Sequence, residues 1–581
     1  MRASILAGLT ARKLLLARNE FKMVAADLRA ATERWNRSAL ETFEYGPSEI
    51  RPLPDNMNSL KIPLLLLMAS SFAMAIANAD RPNILFLFSD DHAWQSIGAY
   101  GSRLKDVANT PNIDKLASEG MLFRKCYVAN ALCGPSRAAI LTGKYGHRNG
   151  VTWNKSANFD GSQQTFPKIL RQSGYQTAII GKWHLKSIPT GFDYFDVMQG
   201  QGRYYNPLLL TGDADGLKEE RVVTGYNSDI VGDLSIEWLK NGRDESKPFV
   251  LMSQFKATHH GWCPGPEEYD LYDDVEIPEP SNLFDDFSYR GSAIRDQTLT
   301  LYEDLKEGLL IGDPGELGKL SPAQRKAWDA YRSKFRKPFE AMNLGWNNPS
   351  RELSRFKYQT LLKNFLASGA GIDKNVGRIR AFLEKNNLAD NTIVIYMADH
   401  GFFLGEHGFF DKRFMYEESL RTAFIVHWPG VVEEGVVNDV DIVSNIDIAE
   451  TFLELAGVDL PKEMQGRSLV PVLQGETPDD WRKTFLYQYF EMANHHVYPH
   501  YGVTDGRNKL IYYHTKNEWE FFDLEKDPQE MISQYYIPEN QKKIMELKKE
   551  LVRLRRQYDC PPSLDIRKKG EWSFEKRLKP L

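Results

Sequence analysis

From residue 80 onward the chain is punctuated by short apolar runs that stop abruptly at charged residues. Ile84 to Phe88 is continuously apolar and ends in Ser89-Asp90-Asp91. Thr177 to Ile180 leads into Gly181-Lys182-Trp183-His184, and Phe249 to Phe255 into Lys256-Ala257-Thr258-His259. Thr392 to Met397 ends at Asp399-His400. Short apolar runs without alternation mark strands buried on both faces. Helical spacing lies between them, at Asn112 to Ser118 behind a Thr110-Pro111 start signal, at Phe166 to Gln172, and over the long stretch Tyr358 to Lys385. Strands alternating with helices predict an α/β chain with a large, mainly parallel sheet covered on both faces. Reactive groups in such sheets gather beyond the carboxyl ends of the strands. Each polar termination above falls there.

The texture changes near Thr484. Thr484 to Phe490, Lys509 to Tyr513 and Trp519 to Asp523 read as antiparallel strands, and Glu539 to about Gln557 as a charged helix. These predict a smaller C-terminal antiparallel subdomain over 484–581, beside a main body over 80–483. Residues around 264–350, rich in Pro and acids with helical pieces, read as an insertion flanking the site. Ahead of the main body, Lys61 precedes an apolar run from Ile62 to Ala77, and Ala77-Asn78-Ala79 supplies a small-x-small site. Residues 57–79 therefore read as a secretory signal peptide, with a membrane anchor as the alternative. The Arg-rich residues 1–56 read as an upstream extension from a misplaced start, with Met57 the true one, or else as a genuine N-terminal segment.

Composition narrows the class. The 581 residues are 42% hydrophobic and 26% charged, with a net charge of −5. That is an ordinary soluble composition with no bulk polycation for nucleic acid, so an anionic substrate must be met by a local cluster of cations. Four cysteines (Cys126, Cys133, Cys263, Cys560) are too few for a disulfide framework in a chain this long.

The chemistry centres on Cys133-Gly134-Pro135-Ser136-Arg137. Pro135 suits the first turn of a helix running to Thr142, which places Cys133 at a helix N-terminus. By itself that position predicts a lowered thiol pKa and a nucleophile or anion site. The pentapeptide and its continuation Ala-Ala-Ile-Leu-Thr-Gly143 resemble the signature of the type I sulfatases. This resemblance implies the alkaline-phosphatase-like sandwich fold and oxidation of Cys133 to Cα-formylglycine by a maturation enzyme. A geminal diol there gives one hydroxyl to attack sulfur and keeps a second to expel the sulfate.

The same resemblance implies Asp90, Asp91, Asp399, His400 and the oxygen of residue 133 as ligands of a calcium ion. His400 stands where many members carry an amide, and a nitrogen donor is softer than oxygen. Gly181-Lys-Trp-His184 is similar to the family segment that sets a lysine (Lys182) on the sulfate and a histidine (His184) beside the formylglycine. Lys256-Ala-Thr-His259 resembles the segment carrying the acid that protonates the leaving alcohol, with His260 as the fallback for His259. Gly405-Glu-His-Gly-Phe-Phe-Asp-Lys412 resembles the second lysine segment, so Lys412 touches the sulfate or leaving oxygen, and Arg137 holds the formylglycine.

Further segments are similar to bacterial sulfatases near the N-acetylglucosamine-6-sulfatase branch. They include Gly200-Gln-Gly-Arg-Tyr-Tyr-Asn-Pro207, Phe410-Asp-Lys-Arg-Phe-Met-Tyr-Glu-Glu-Ser419 and Trp519 to Pro528. The implied substrate is a sulfated carbohydrate, 6-O-sulfated N-acetylglucosamine or a related glycan, handled by a secreted or periplasmic enzyme with no membrane span after signal cleavage. Galactose, fucose or uronate sulfates remain open. A phosphatase or phosphodiesterase of the same superfold would carry Thr or Ser at position 133, and a non-catalytic glycan-binding protein would lack a ligand or the cysteine.

Overall fold

A computed structural model describes residues 81–155, 159–491 and 495–561. The expected extension and signal peptide (1–56 and 57–79) lie outside the described residues.

Ten strands form the main sheet. In chain order they are β1 (Asn83–Ser89), β2 (Met121–Phe123), β3 (Gln176–Lys182), β4 (Tyr194–Met198), β5 (Leu208–Asp213), β6 (Gly216–Val222), β7 (Phe249–Gln254), β8 (Thr392–Ala398), β9 (Phe424–His427) and β10 (Val436–Asn438). Their order across the sheet is β10-β2-β9-β8-β1-β7-β3-β4-β5-β6. The centre, β8-β1-β7-β3-β4, is wholly parallel. Only β9 and β5 run against the rest.

The helices that cover it are α1 (Pro111–Ser118), α2 (Cys133–Thr142), α3 (Phe166–Gln172), α4 (Asn227–Glu237), α5 (Pro322–Ala341), α6 (Arg351–Lys385) and α7 (Ile448–Leu455). The unbroken apolar run of β1 has a direct cause. Ile84, Phe86 and Phe88 enter a core with Ile140 of α2, Phe166 of α3 and Phe452 of α7. Leu85 and Leu87 enter a second core with Ile113 of α1, Ile230 of α4 and Ile372 of α6. Successive side chains of a strand face opposite ways, so a sheet covered on both sides needs every position apolar.

At the carboxyl end of β3, Gly181 has φ of +106°, and a Cβ there would sit 1.9 Å from the carbonyl oxygen of Gln254 on β7. Only glycine lets these strand ends approach so closely, and Lys182 is the next residue.

The C-terminal sheet is antiparallel, with strands β11 (Phe485–Tyr489), β12 (His500–Thr504), β13 (Asn508–Tyr513) and β14 (Glu518–Asp523) paired in order, followed by helix α8 (Gln541–Gln557). Its apolar face shares a core with Leu132, Phe414 and Tyr416. The segment carrying Lys412 is thus packed against this sheet.

The structure sharpens or adds to the sequence expectation at several points. Helix α6 begins at Arg351, before Tyr358, because Ser350 caps it by accepting from the backbone N–H of Leu353 at 3.2 Å. Among the helical pieces expected in the 264–350 stretch is the 20-residue α5, opened by a Ser321/Gln324 capping box. Strand β12 was not foreseen, since His500-Tyr-Gly-Val-Thr504 has little apolar pattern of its own.

Candidate active site

The carboxyl ends of β1, β8, β3 and β7 converge with the N-terminus of α2. Cys133 is the first residue of α2 and is fully buried. Asp90 and Asp91 follow β1, Asp399 and His400 follow β8, and none of the four has exposed surface. Consecutive residues of an extended chain point to opposite faces. Asp91 breaks that alternation with φ of 63°, and both carboxylates reach one centre. The ligand atoms of Asp90, Asp91, Cys133, Asp399 and His400 lie within 4.8 Å of one another.

His400 donates from Nδ1 to the carbonyl oxygen of Gly401 at 2.8 Å, which leaves Nε2 for the centre. That nitrogen stands 3.1 Å from Oδ1 of Asp91, 3.4 Å from Oδ1 of Asp399 and 3.6 Å from Sγ of Cys133. Oδ1 of Asp90 is buried with no hydrogen-bond partner among the described residues. A converging set of carboxylate oxygens, one of them unsatisfied, fits a hard divalent cation, and the imidazole is compatible with it.

Cations surround the acids. Lys182, fully buried, pairs with Asp90 and donates to Oε1 of Gln201 at 2.6 Å. Lys412 lies 2.5 and 2.6 Å from the two oxygens of Asp91 and 3.5 Å from Sγ of Cys133. Arg137 donates to Oδ2 of Asp399 at 3.2 Å, to Oε1 of Gln254 at 2.6 Å and to the carbonyl of Lys182 at 2.9 Å. Its guanidinium is thus committed to the carboxylates and strand ends, while the thiol is met by Lys412. Burial pushes the Asp90 carboxyl up, but Lys182, His259 and Arg137 outweigh it and hold the group well below the usual range. Burial raises Asp399 to about 6, against the pull of His400.

The thiol departs from expectation. Burial, reinforced by Asp90, pushes the Cys133 pKa well above its ordinary value. The helix N-terminus does not prevail against burial and the surrounding carboxylates.

Over this centre opens a cleft of about 710 Å³, lined among others by His184, Gln201, His259, His260, Lys412 and His495. His184 has φ of 55°, and burial followed by Lys182 holds its pKa well below 6.5. His259 is buried and His260 half exposed, and the two rings meet at 4.1 Å, tilted by 42°. Both meet Glu316, His259 through Nδ1 at 3.1 Å and His260 through Nε2 at 3.3 Å. Lys256 pairs with the same carboxylate. At the far wall His495 bridges Asp304 and Asp411, and Arg413 pairs with Asp411.

All ten residues expected from the sequence gather at this centre or its cleft. Sequence reasoning missed Gln201, Gln254, Glu316 and Asn445, which holds Ser136 of α2 at 2.9 Å. Gln201 falls within the Gly200 to Pro207 segment noted above. Glu316 sits in the insertion, where no periodic signal points to it.

A family profile described as "Sulfatase" matches residues 82–458, and one described as "N-sulphoglucosamine sulphohydrolase, C-terminal" matches residues 405–557. The chain is 42% identical over 528 residues to an N-acetylglucosamine-6-O-sulfatase of Bacteroides thetaiotaomicron, covering 87% of this chain and 92% of the relative. It is 28% identical to the human N-acetylglucosamine-6-sulfatase over 464 residues, 76% of this chain and 73% of that one. A solved structure in complex with its substrate D-glucosamine-2-N,6-O-disulfate superposes with a TM-score of 0.76 at 41% identity, over 82% of this chain and 98% of that chain. Fold, buried acidic centre and these likenesses agree: the chain belongs to the sulfatase family and is a sulfuric ester hydrolase.

Proposed function

We propose that this sulfatase removes the 6-O-sulfate of N-acetylglucosamine, or of a closely related glucosamine unit of a glycan, using a formylglycine made from Cys133 and a bound calcium ion. The observation that carries the reading is the convergence of Asp90, Asp91, Asp399, His400, Lys182 and Lys412 on residue 133. The sugar is supported by the 42% identical relative, which is named for that activity and spans nearly the same length.

Asp90, Asp91, Asp399 and His400 would hold the calcium, which would spread the charge of the sulfate oxygens. A hydrated formylglycine at position 133 would offer sulfur one hydroxyl and retain another for the release of sulfate. Lys182 and Lys412 bind the sulfate from two sides, inside a buried site where each charge acts with little screening. Arg137 keeps the Asp399 carboxylate aimed at residue 133. Asp399 accepts the first proton there. His259 donates a proton to the departing sugar oxygen, without which an alkoxide would have to leave. His184, neutral because of burial and Lys182, accepts the proton whose loss lets sulfate go. The apolar run ahead of Ala77-Asn78-Ala79 supports export to a periplasm or the exterior, where sulfated glycans are met. No helix among the described residues is long and apolar enough to cross a membrane.

The test is expression from Met57 with a formylglycine-generating enzyme, followed by sulfate release from a panel of sulfated sugars with Cys133→Ala alongside. Release from 6-O-sulfated N-acetylglucosamine, abolished in the variant, is the expected result. Release from another sugar only would overturn the substrate, and no release from any by converted protein would overturn the reading itself.

A further inference from the structure

Among the described residues Glu316 is the acid whose carboxylate pairs with His259, and nothing in the apolar pattern of the sequence announces it. Its position is set by the backbone. The N–H of Tyr204 donates to the carbonyl of Glu316 at 2.9 Å, and the N–H of Tyr205 to that of Leu317 at 2.9 Å. Leu317 is buried beneath. Gly318 follows with φ of +100°, and a Cβ there would meet the carbonyl oxygen of Tyr205 at 2.1 Å, so glycine is what permits this close approach. The insertion segment is thereby pinned to the Gly200 to Pro207 segment. Tyr204 in turn holds the carbonyl of His259 through its hydroxyl at 2.5 Å. One short backbone pairing therefore fixes both the carboxylate and the histidine main chain.

What the carboxylate does there follows from its contacts. Oε2 takes Nδ1 of His259 at 3.1 Å, while Oε1 lies 3.3 Å from Nε2 of His260. With Nδ1 engaged, Nε2 is the nitrogen of His259 left for the cleft. Burial and then Lys182 hold the His259 pKa below 6.5, and Glu316, Asp90 and Asp91 offset only part of that fall. Lys256 also pairs with Glu316 and holds it ionised: burial pushes this carboxyl up, but Lys256, His259 and His260 keep it well below its ordinary value. A carboxylate kept charged beside an imidazole fixes the tautomer and favours the imidazolium, as in any carboxylate–histidine pair.

We infer that Glu316 is a positioning residue that fixes the tautomer of His259 and turns its Nε2 toward the leaving sugar oxygen, and that it selects His259 over His260 for this task. The inference rests on the assignment of His259 as the acid. In the step, the electron pair of the breaking S–O bond passes to the sugar oxygen, which takes the proton from Nε2. His259 is left neutral, with its Nδ1–H still donating to Glu316. His260 meets the carboxylate through Nε2, so the nitrogen it would need is the one engaged.

The test uses the full converted enzyme and 6-O-sulfated N-acetylglucosamine, with Glu316→Gln, Glu316→Asp, His259→Ala and the Glu316→Gln/His259→Ala double variant. Expected is a loss of about tenfold to a hundredfold in kcat for Glu316→Gln with KM within about threefold. Glu316→Asp should recover part of it, and the double variant should be no slower than His259→Ala alone. Additive losses, a loss confined to KM, or a Glu316→Gln kcat within about twofold of wild type would overturn the inference while leaving the sulfatase reading intact. A wild-type enzyme inert on every sulfated sugar would instead overturn that reading. Melting temperatures of all four variants close to wild type show that folding is not what is being measured.

Discussion

The backbone N–H of Asp91 donates to Oδ1 of Asp399 at 3.0 Å, joining residues 308 apart in sequence. The bond ties the end of β1 to the end of β8 just where the two neighbouring parallel strands stop pairing. It leaves Oδ2 of Asp399 for Arg137 at 3.2 Å. One carboxylate therefore aligns two strand ends and anchors the guanidinium that meets a third.

Asp399→Ala tests that double duty. It strands the Asp91 N–H and removes the nearer acid from a buried arginine. Breaking a buried pair from one side costs about 3–5 kcal/mol. Urea unfolding should show a loss of that order together with loss of turnover. Asp399→Asn keeps an acceptor for the Asp91 N–H, and should lose turnover with a much smaller drop in stability. Equal destabilisation by both variants would refute the structural half of this account.

Calcium removal should be visible without any assay of turnover. The buried carboxylates of Asp90, Asp91 and Asp399 sit within one ligand cluster, and Oδ1 of Asp90 has no hydrogen-bond partner among the described residues, only Arg137 at 3.5 Å. A ligand that binds the folded state alone adds about 2.7 kcal/mol of stability at a hundredfold excess over its Kd. Chelation should therefore lower the melting temperature and added calcium restore it, with magnesium less effective because its octahedral demand fits a carboxylate–imidazole cage poorly. A melting temperature indifferent to chelator would remove the metal from this site.

How much of this was legible beforehand depended on what signals each residue. Asp90, Lys182, His259 and Asp399 were visible because each ends an unbroken apolar run, and runs covered on both faces carry the strongest sequence pattern a strand can have. The metal set and cations then followed from resemblance. Glu316 and Gln201 reach the site from irregular segments whose positions are set by backbone pairing and by glycine, and no periodicity records that. The Cys133 pKa was misjudged for a related reason. The helix N-terminus is local and readable, whereas the burial of the thiol and the ring of carboxylates around it are assembled from distant strand ends.

Cys133→Ala should leave the fold nearly untouched. The side chain is buried at the first turn of α2, and replacing SH by H there leaves only a small void. Turnover of glycan sulfate should fall by roughly a thousandfold or more, since the nucleophile itself is gone. Peptide mass analysis of the wild type should show sulfur missing from the peptide containing residue 133 when the maturation enzyme is coexpressed, and present when it is not. Full activity in protein that retains the thiol would refute the formylglycine chemistry.

Alkaline pH should weaken the fold through Glu450 on α7. Its Oε1 accepts from the backbone N–H of Gly466 at 2.6 Å, whereas Oε2 is buried without a partner among the described residues. Burial, aided by the neighbouring Asp447, raises its pKa from 4.5 to about 8. The folded state thus holds a proton that the unfolded chain gives up above pH 4.5, so stability from this group is complete below that pH and is lost as pH rises toward 8. Each tenfold gain in proton affinity on folding is worth about 1.4 kcal/mol, which sets an upper bound of about 4–5 kcal/mol on the loss. Glu450→Gln keeps the acceptor and cannot ionise. Urea melts should find it more stable than wild type at about pH 8.5 and close to it at about pH 5, on either side of the ionisation. A constant difference across that range would show that Glu450 is not the group responsible.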